Sequence, residues 1–188
     1  SGTQHTELGG TNYGMQFGSK DGGSNNGSYC GFVNELFVYN GTCPTSEEAV
    51  DIYMRGRVRD SLVANSALKL YITSKSTDAY GSGVLYDSSS NNWNVRNEQN
   101  ARYTYHYIND DRTANTALYF DGASDFIDFG DHADFEPGTG DFTVEFWAMP
   151  LNSGSFETIM AKGGTGYSVD YGGFQVSHHG SPGRMVFE

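Results

Sequence analysis

The stretch 118–150, LYFDGASDFIDFGDHADFEPGTGDFTVEFWAMP, decides the fold class of this chain. Its three apolar runs are separated by Asp121-Gly122 and by Glu136-Pro137-Gly138, which favour turns. In the third run the residues alternate between two faces, one formed by Phe142, Val144, Phe146 and Ala148, the other by Thr143, Glu145, Trp147 and Met149. Successive side chains of a strand point to opposite sides, so the first set faces a core and the second lies on the opposite surface. The stretch therefore predicts antiparallel strands.

The rest of the chain fits the same class. The 188 residues include 25 Gly, 13 Tyr and 12 Phe, a composition suited to short strands, tight turns and a large aromatic core. We predict an all-β chain of antiparallel strands with one short helix near residues 45–55. Thr45 and Glu48 form a capping box at the start of that helix, and Gly56 marks its end.

The charge of the chain limits its partners. Asp and Glu number 23 against 11 Lys and Arg, which gives a formal net charge of −12. Such a surface repels phosphate backbones, so we expect no nucleic-acid partner. No apolar run approaches the roughly 20 residues that cross a bilayer, so we expect no membrane insertion. No signal peptide opens the chain, but a mature or excised piece would also lack one, and secretion stays open.

Two segments carry a family resemblance. The pattern LYFDG…DFIDFGD…DFTVEFWAMP resembles the opening half of laminin G-like domains, members of the concanavalin-type jelly-roll family that includes the pentraxins. The pattern MQFGSKDGG…GFVNELFVYNGTCPTSEEAVDIYMRG resembles the closing half of the same family, which usually has Asp where this chain has Asn34. The resemblance implies an all-β, antiparallel two-sheet jelly-roll sandwich, usually secreted, that binds glycans or proteins at its rim, often with a calcium ion.

The closing half precedes the opening half. Residues 1–56 match the C-terminal half of such a domain, 57–67 read as a connector, and 68–188 match the N-terminal half. Three explanations are open: a window on a tandem array, a permuted domain that closes on itself, and halves completed by neighbouring subunits through strand addition. Two halves that did not close would need partners, so we expect packing against other copies, as in a filament, or against the rest of a longer parent chain.

Cys30 and Cys43 bracket an apolar run. They form either a disulfide or two buried free thiols, and the polar turns beside both favour the disulfide. A disulfide would indicate an oxidising compartment, consistent with an extracellular or surface-exposed location. Asn26 and Asn40 begin two short N-glycosylation sequons in the same region.

Calcium is the one cofactor that the sequence suggests. Asp121, Asp125 and Asp128 lie close together around a turn, and calcium prefers several oxygen ligands held in loops. Asp21 lies in a loop that resembles the one supplying acidic calcium ligands in pentraxins. The alternative is a solvated acidic turn in which Asp121 caps its own backbone.

No catalytic motif is present. The chain lacks the Glu-x-Asp-x-x-Glu strand of laminarinase-like sandwiches, and Glu145 has no carboxylate two residues away on either side. A Gly-x-Ser-x-Gly elbow, a His-Glu-x-x-His pair and a P-loop are also missing. We therefore predict a non-catalytic extracellular or particle-surface adhesion module that binds glycan or protein. The alternative is a structural repeat that builds a fibre or sheath.

Overall fold

A computed structural model describes residues 14–19, 27–41, 44–55, 66–72, 87–93, 97–99, 102–106, 115–151, 156–162, 174–180 and 183–187. These residues form one α-helix and eleven strands: β1 (Met15–Phe17), β2 (Cys30–Asn40), α1 (Ser46–Arg55), β3 (Leu68–Ile72), β4 (Asn97–Gln99), β5 (Arg102–His106), β6 (Asn115–Asp121), β7 (Phe126–Asp128), β8 (Phe142–Pro150), β9 (Phe156–Lys162), β10 (Phe174–His179) and β11 (Arg184–Phe187). A 3-10 turn covers Ala133–Phe135. The predicted all-β fold is confirmed.

The strands form two antiparallel sheets. One has six strands in the order β11-β10-β9-β1-β7-β4. The other has five strands and is built around β2. The first half of β2 pairs with β6 and the second half with β3, while β8 pairs along both halves. Since a strand has only two edges, β6 and β3 share one edge of β2 and β8 occupies the other.

An irregularity in β2 explains why its sequence does not alternate cleanly. The register with β8 shifts between Asn34 and Phe37. Before the shift Val33 is buried in the core, and after it Leu36 and Val38 are, so the buried parity changes from odd to even. A bulge has this effect because it inserts one extra residue into one strand of a pair. The bulge thus lets β2 keep one apolar face along its whole length.

One core joins both predicted halves of the chain. Residues of segment 1–56 and of segment 68–188 belong to a single buried cluster: Met15, Phe17, Tyr29, Val33, Leu36, Val38, Leu70, Ile72, Leu118, Phe120, Ile127, Phe129, Phe135, Ile159, Met160 and Phe174. Phe142 and Phe146 pack against it, as the alternation predicts. The rings of Phe17 and Phe129, one from each segment, meet edge to face at 5.8 Å. In the described residues, both predicted segments therefore contribute to one shared core.

Helix α1 begins directly after Thr45. The Thr45 backbone N–H donates to Glu48 Oε2 at 2.7 Å, and the Glu48 N–H donates to Thr45 Oγ1 at 3.3 Å. These are the two reciprocal bonds of a capping box. Within the described part of the chain, no helix has the length and apolar character needed to cross a membrane.

Candidate binding groove at the edge of β8

β8 is an edge strand whose hydrogen bonds to β2 follow a regular pattern. The Leu151 N–H donates to the Cys30 carbonyl at 2.9 Å, and the Gly41 N–H donates to the Asp141 carbonyl at 2.8 Å. The two bonds lie on opposite sides of the bulge, and each joins residues that the register on its own side places directly opposite each other. In an antiparallel pair, directly opposed residues alternate between hydrogen-bonded and non-bonded pairs. The odd-numbered residues of β8 therefore bond to β2 throughout.

The even-numbered residues of β8 direct their backbone groups the other way. The N–H and C=O groups of Val144, Phe146 and Ala148 point away from β2, towards the second edge of the strand. Among the described strands β8 pairs with β2 alone. Pro150 has the same parity but no N–H, so it ends the row of donors. At this edge, the N–H and C=O groups of three alternate residues therefore face away from every described strand, as at the open edge of a sheet.

A groove of about 730 Å³ follows this edge. It is lined by side chains from both faces of β8, by α1 and β2 on one side, and by β10 and β11 on the other: Phe37, Ala49, Phe142, Thr143, Val144, Glu145, Phe146, Trp147, Val176, Met185 and Phe187. One space can touch both faces of a strand only where it passes around the edge of that strand. The groove therefore lies along the edge itself.

Large apolar side chains line this groove while remaining open to solvent. Phe187 is 56% exposed, Met185 50% and Trp147 44%. Phe187 belongs to the inner wall, where its ring lies 5.9 Å from that of Phe142. Apolar side chains grouped around one groove mark an interaction surface more reliably than scattered ones do.

Glu145 is the charged residue in the groove. It stands opposite Phe37 of β2, on the outer face of the sheet. Its Oε2 atom is out of contact with solvent and has no hydrogen-bond partner among the described residues. Burial raises the pKa of the Glu145 carboxyl above its ordinary value, because desolvation disfavours the charged form. No Lys or Arg occurs among the described residues that line the groove.

Tyr39 lies beside Glu145 on the same face. It stands opposite Thr143, is only 1% exposed, and its hydroxyl has no hydrogen-bond partner in the described part of the chain. Burial, followed by the nearby carboxylates of Glu145 and Glu48, raises the pKa of Tyr39 above its usual range. The outer side of the groove therefore has excess negative charge and no described cation to balance it.

Two of the predicted calcium ligands, Asp121 and Asp125, accept hydrogen bonds from backbone N–H groups of their own turn. Asp121 Oδ1 accepts from the Ala123 N–H at 2.8 Å and from the Ser124 N–H at 3.3 Å, which is the self-capping turn of the alternative interpretation. Asp125 is buried, and its Oδ2 accepts from the Asp121 N–H at 2.9 Å.

Asp128 lies in β7, in the other sheet, where its Oδ1 accepts from the Gly130 N–H at 2.7 Å. Asp21 lies outside the described residues. No group of three or more His, Cys, Asp or Glu side chains in the described ranges is arranged to hold a metal ion. The three described carboxylates do not by themselves fit a calcium site, and calcium stays a prediction that EDTA treatment would test.

The structure contradicts the predicted disulfide. Cys30 is a free cysteine at the start of β2, and Cys43 lies outside the described residues. β2 runs from Cys30 to Asn40, about 33 Å at the usual rise of a strand. Three further residues span at most about 11 Å, whereas a disulfide requires Cα atoms within about 7 Å. The polar turns at the two ends of the run do not meet because the run between them is one continuous strand.

The two sequons are placed as follows. Asn26 lies outside the described residues. Asn40 ends β2, and its side-chain amide donates to the Asp134 carbonyl at 3.0 Å. A glycan on that nitrogen would compete with this contact. Glycosylation of both residues stays a prediction.

The sequence missed the open edge of β8. Alternation identifies the faces of a strand but not its neighbours, which depend on pairings across the chain. One local signal was available, since Glu145 is a charged residue in a mostly apolar strand, and charged side chains are common on edge strands. The ring of Trp93, the only tryptophan besides Trp147, stacks on His132 at 4.0 Å and is not part of the groove lining.

Comparisons of the chain with family models, with curated proteins and with solved structures find no match.

Proposed function

We propose that this chain is a non-catalytic, extracellular or particle-surface binding module that engages an extended segment of a partner protein by strand addition to β8. The observation that carries the proposal is the groove along the second edge of β8, which Val144 and Phe146 line and beyond which the same edge continues to Ala148. An added strand gains affinity from main-chain hydrogen bonds and specificity from pockets for alternate side chains.

The chemistry of this edge favours such a partner. β8 has nine residues, and none before its last, Pro150, is Pro or Lys, the residues that often protect edge strands from pairing. An incoming strand would cover the exposed parts of Met185 and Phe187 on the inner side and of Trp147 on the outer side. Burial of apolar surface contributes about 25 cal/mol per Å², in addition to the hydrogen bonds. The resemblance to laminin G-like domains, which bind partners at the rim of the sandwich, supports the same proposal.

A glycan ligand is the second candidate, because Trp147 is 44% exposed within the groove. An exposed indole ring gives a flat apolar face for a sugar ring, and the Glu145 carboxylate accepts hydrogen bonds from sugar hydroxyls. Glycan-array binding that the Trp147→Ala variant loses would favour this candidate over a peptide. Loss of that binding in EDTA would add the predicted calcium ion to it.

Proline at position 148 tests strand addition. The probe is a capped nine-residue peptide that alternates Val and Thr, with Lys at its centre, used where the peptide alone is monomeric. Ala148→Pro removes an N–H that points to the open edge and leaves the odd-numbered bonds to β2 in place. We expect the peptide Kd, measured by calorimetry, to rise at least about tenfold, since one ladder bond is lost and the ring obstructs its neighbours.

Ser46→Pro is the control, because position 46 is the first residue of α1, where proline is tolerated. It should bind the peptide like the wild type. A second control is the same peptide N-methylated at its Val residues, which cannot complete the ladder and should not bind. Equal binding of both peptides, or unchanged binding by Ala148→Pro, would contradict strand addition.

A further inference from the structure

We infer that Glu145 selects a partner strand that carries a Lys or Arg directly opposite it. The inference rests on the proposed strand addition and names the chemistry of the segment that the groove accepts. It commits to a basic, extended peptide segment of another protein as the occupant.

The pairing pattern of an added antiparallel strand determines where the Lys or Arg opposite Glu145 would lie. The even-numbered residues of β8 would form the hydrogen-bonded pairs with the added strand, because their backbone groups face the open edge. Glu145 would then stand in a non-bonded pair, in which the Cα atoms are only about 4.5 Å apart and the side chains are closest. Side chains opposite each other share a face, so the partner residue at this position extends along the outer side of the sheet. Its neighbours, opposite Val144 and Phe146, face the apolar inner wall.

The charges on the outer side favour a cation there. The Oε2 atom of Glu145 is out of contact with solvent and has no described hydrogen-bond partner. A carboxylate oxygen that is shielded from water without a partner is costly, and an ammonium or guanidinium group can donate to it and balance the charge of the half-buried carboxylate. Trp147, next on this face and 44% exposed, offers an aromatic surface for the same cation.

A second copy of this chain fits the edge less well. β8 contains no Lys or Arg, so antiparallel pairing of β8 with its own copy would leave Glu145 without a cation in every register. Two copies also carry a formal net charge of −12 each and repel one another. A partner segment in which apolar residues alternate with polar ones, one of them basic, satisfies both sides of the groove.

Three peptides and two variants of the whole chain test the inference. The peptides share the alternating Val and Thr sequence and differ only at the centre, which is Lys, norleucine or Glu. For the wild type we expect the Lys peptide to bind about fivefold to tenfold more tightly than the norleucine peptide, and the Glu peptide to bind most weakly. In Glu145→Gln the Lys and norleucine peptides should bind within about twofold of each other. In Glu145→Lys the order should reverse, so that the Glu peptide binds best, which a merely structural role for Glu145 would not produce.

The outcomes separate this inference from the proposed function. If all three peptides bind the wild type equally and the order does not reverse in Glu145→Lys, the role of Glu145 is wrong and strand addition stands. If the wild type binds none of them, or binds the N-methylated peptide equally well, strand addition itself is wrong. If the chain instead self-associates through β8, Ala148→Pro will abolish the dimer seen by sedimentation, and a second copy is the occupant.

Discussion

Replacing Phe120 with Ala is expected to destabilise the whole chain by about 3–5 kcal/mol, the usual cost of removing a buried phenyl ring. Phe120 is fully buried, and its ring lies 6.1 Å from that of Tyr29, a residue of the other predicted half. A side chain at Gly18, whose φ is +83°, would overlap the same ring. Because both segments contact Phe120, urea unfolding should show one transition, shifted as a whole and seen alike by fluorescence and circular dichroism.

Phe187→Ala makes the same chemical change on a ring that is 56% exposed, and we expect it to cost no more than about 1 kcal/mol. A chain that closes on itself in this way should also sediment as a monomer of 20.5 kDa. Two separate transitions, with only one shifted by Phe120→Ala, would show that residues 1–56 and 68–188 form independent units. A stable oligomer would instead support the alternative in which neighbouring copies complete the two segments.

Replacing Asp87 with Ala is expected to lower the free energy of unfolding by a similar amount, about 3–5 kcal/mol. Asp87 is 2% exposed and joins the turn at residues 87–92 to β3. Its Oδ1 accepts from the N–H groups of Tyr71 and Ser89, both at 2.8 Å. Its Oδ2 accepts from Ser89 Oγ at 2.6 Å and from the Trp93 N–H at 3.1 Å. Hydrogen bonds to a charged group contribute about 1.5–3 kcal/mol each, and the donors left behind are buried.

Two further variants show whether the effect belongs to these bonds. Asp87→Asn keeps the shape but offers one acceptor oxygen where four donors need two, so we expect an intermediate loss in urea unfolding. Asp141→Ala changes the same residue type at an exposed position and should alter stability by less than about 0.5 kcal/mol. If Asp87→Ala is no worse than Asp141→Ala, the turn does not depend on this carboxylate.

What the sequence predicts well is local. The alternation in β8 identifies the residues that face the core because the two-residue period of a strand needs no knowledge of its neighbours. Thr45 and Glu48 mark the start of α1 for the same reason, since both bonds of a capping box lie within one turn. The self-capping turn at Asp121 is also local, and it was stated as the alternative to calcium.

What the sequence could not predict depends on contacts between distant segments. The disulfide was wrong because flanking turns do not show whether the chain between two cysteines doubles back or runs straight. No catalytic role was predicted for Glu145, because the strand lacks the Glu-x-Asp-x-x-Glu motif. The groove that gives it a role is formed by α1, β2, β10 and β11, none adjacent to β8 in sequence. Similarly, the closing of both segments on one core follows from pairings such as that of β2 with β8.

Amide hydrogen exchange at β8, followed by NMR, tests the central claim most directly. In the free chain the N–H groups of Thr143 and Glu145, bonded to β2, should exchange slowly, while those of Val144, Phe146 and Ala148 should exchange fast. With the Lys peptide at about 100 times its Kd, the three even-numbered amides should slow by about 100-fold and the odd-numbered ones should change little. If the even-numbered amides are already slow in the free chain, or if saturating peptide leaves them fast, the open edge of β8 is not a strand-binding site.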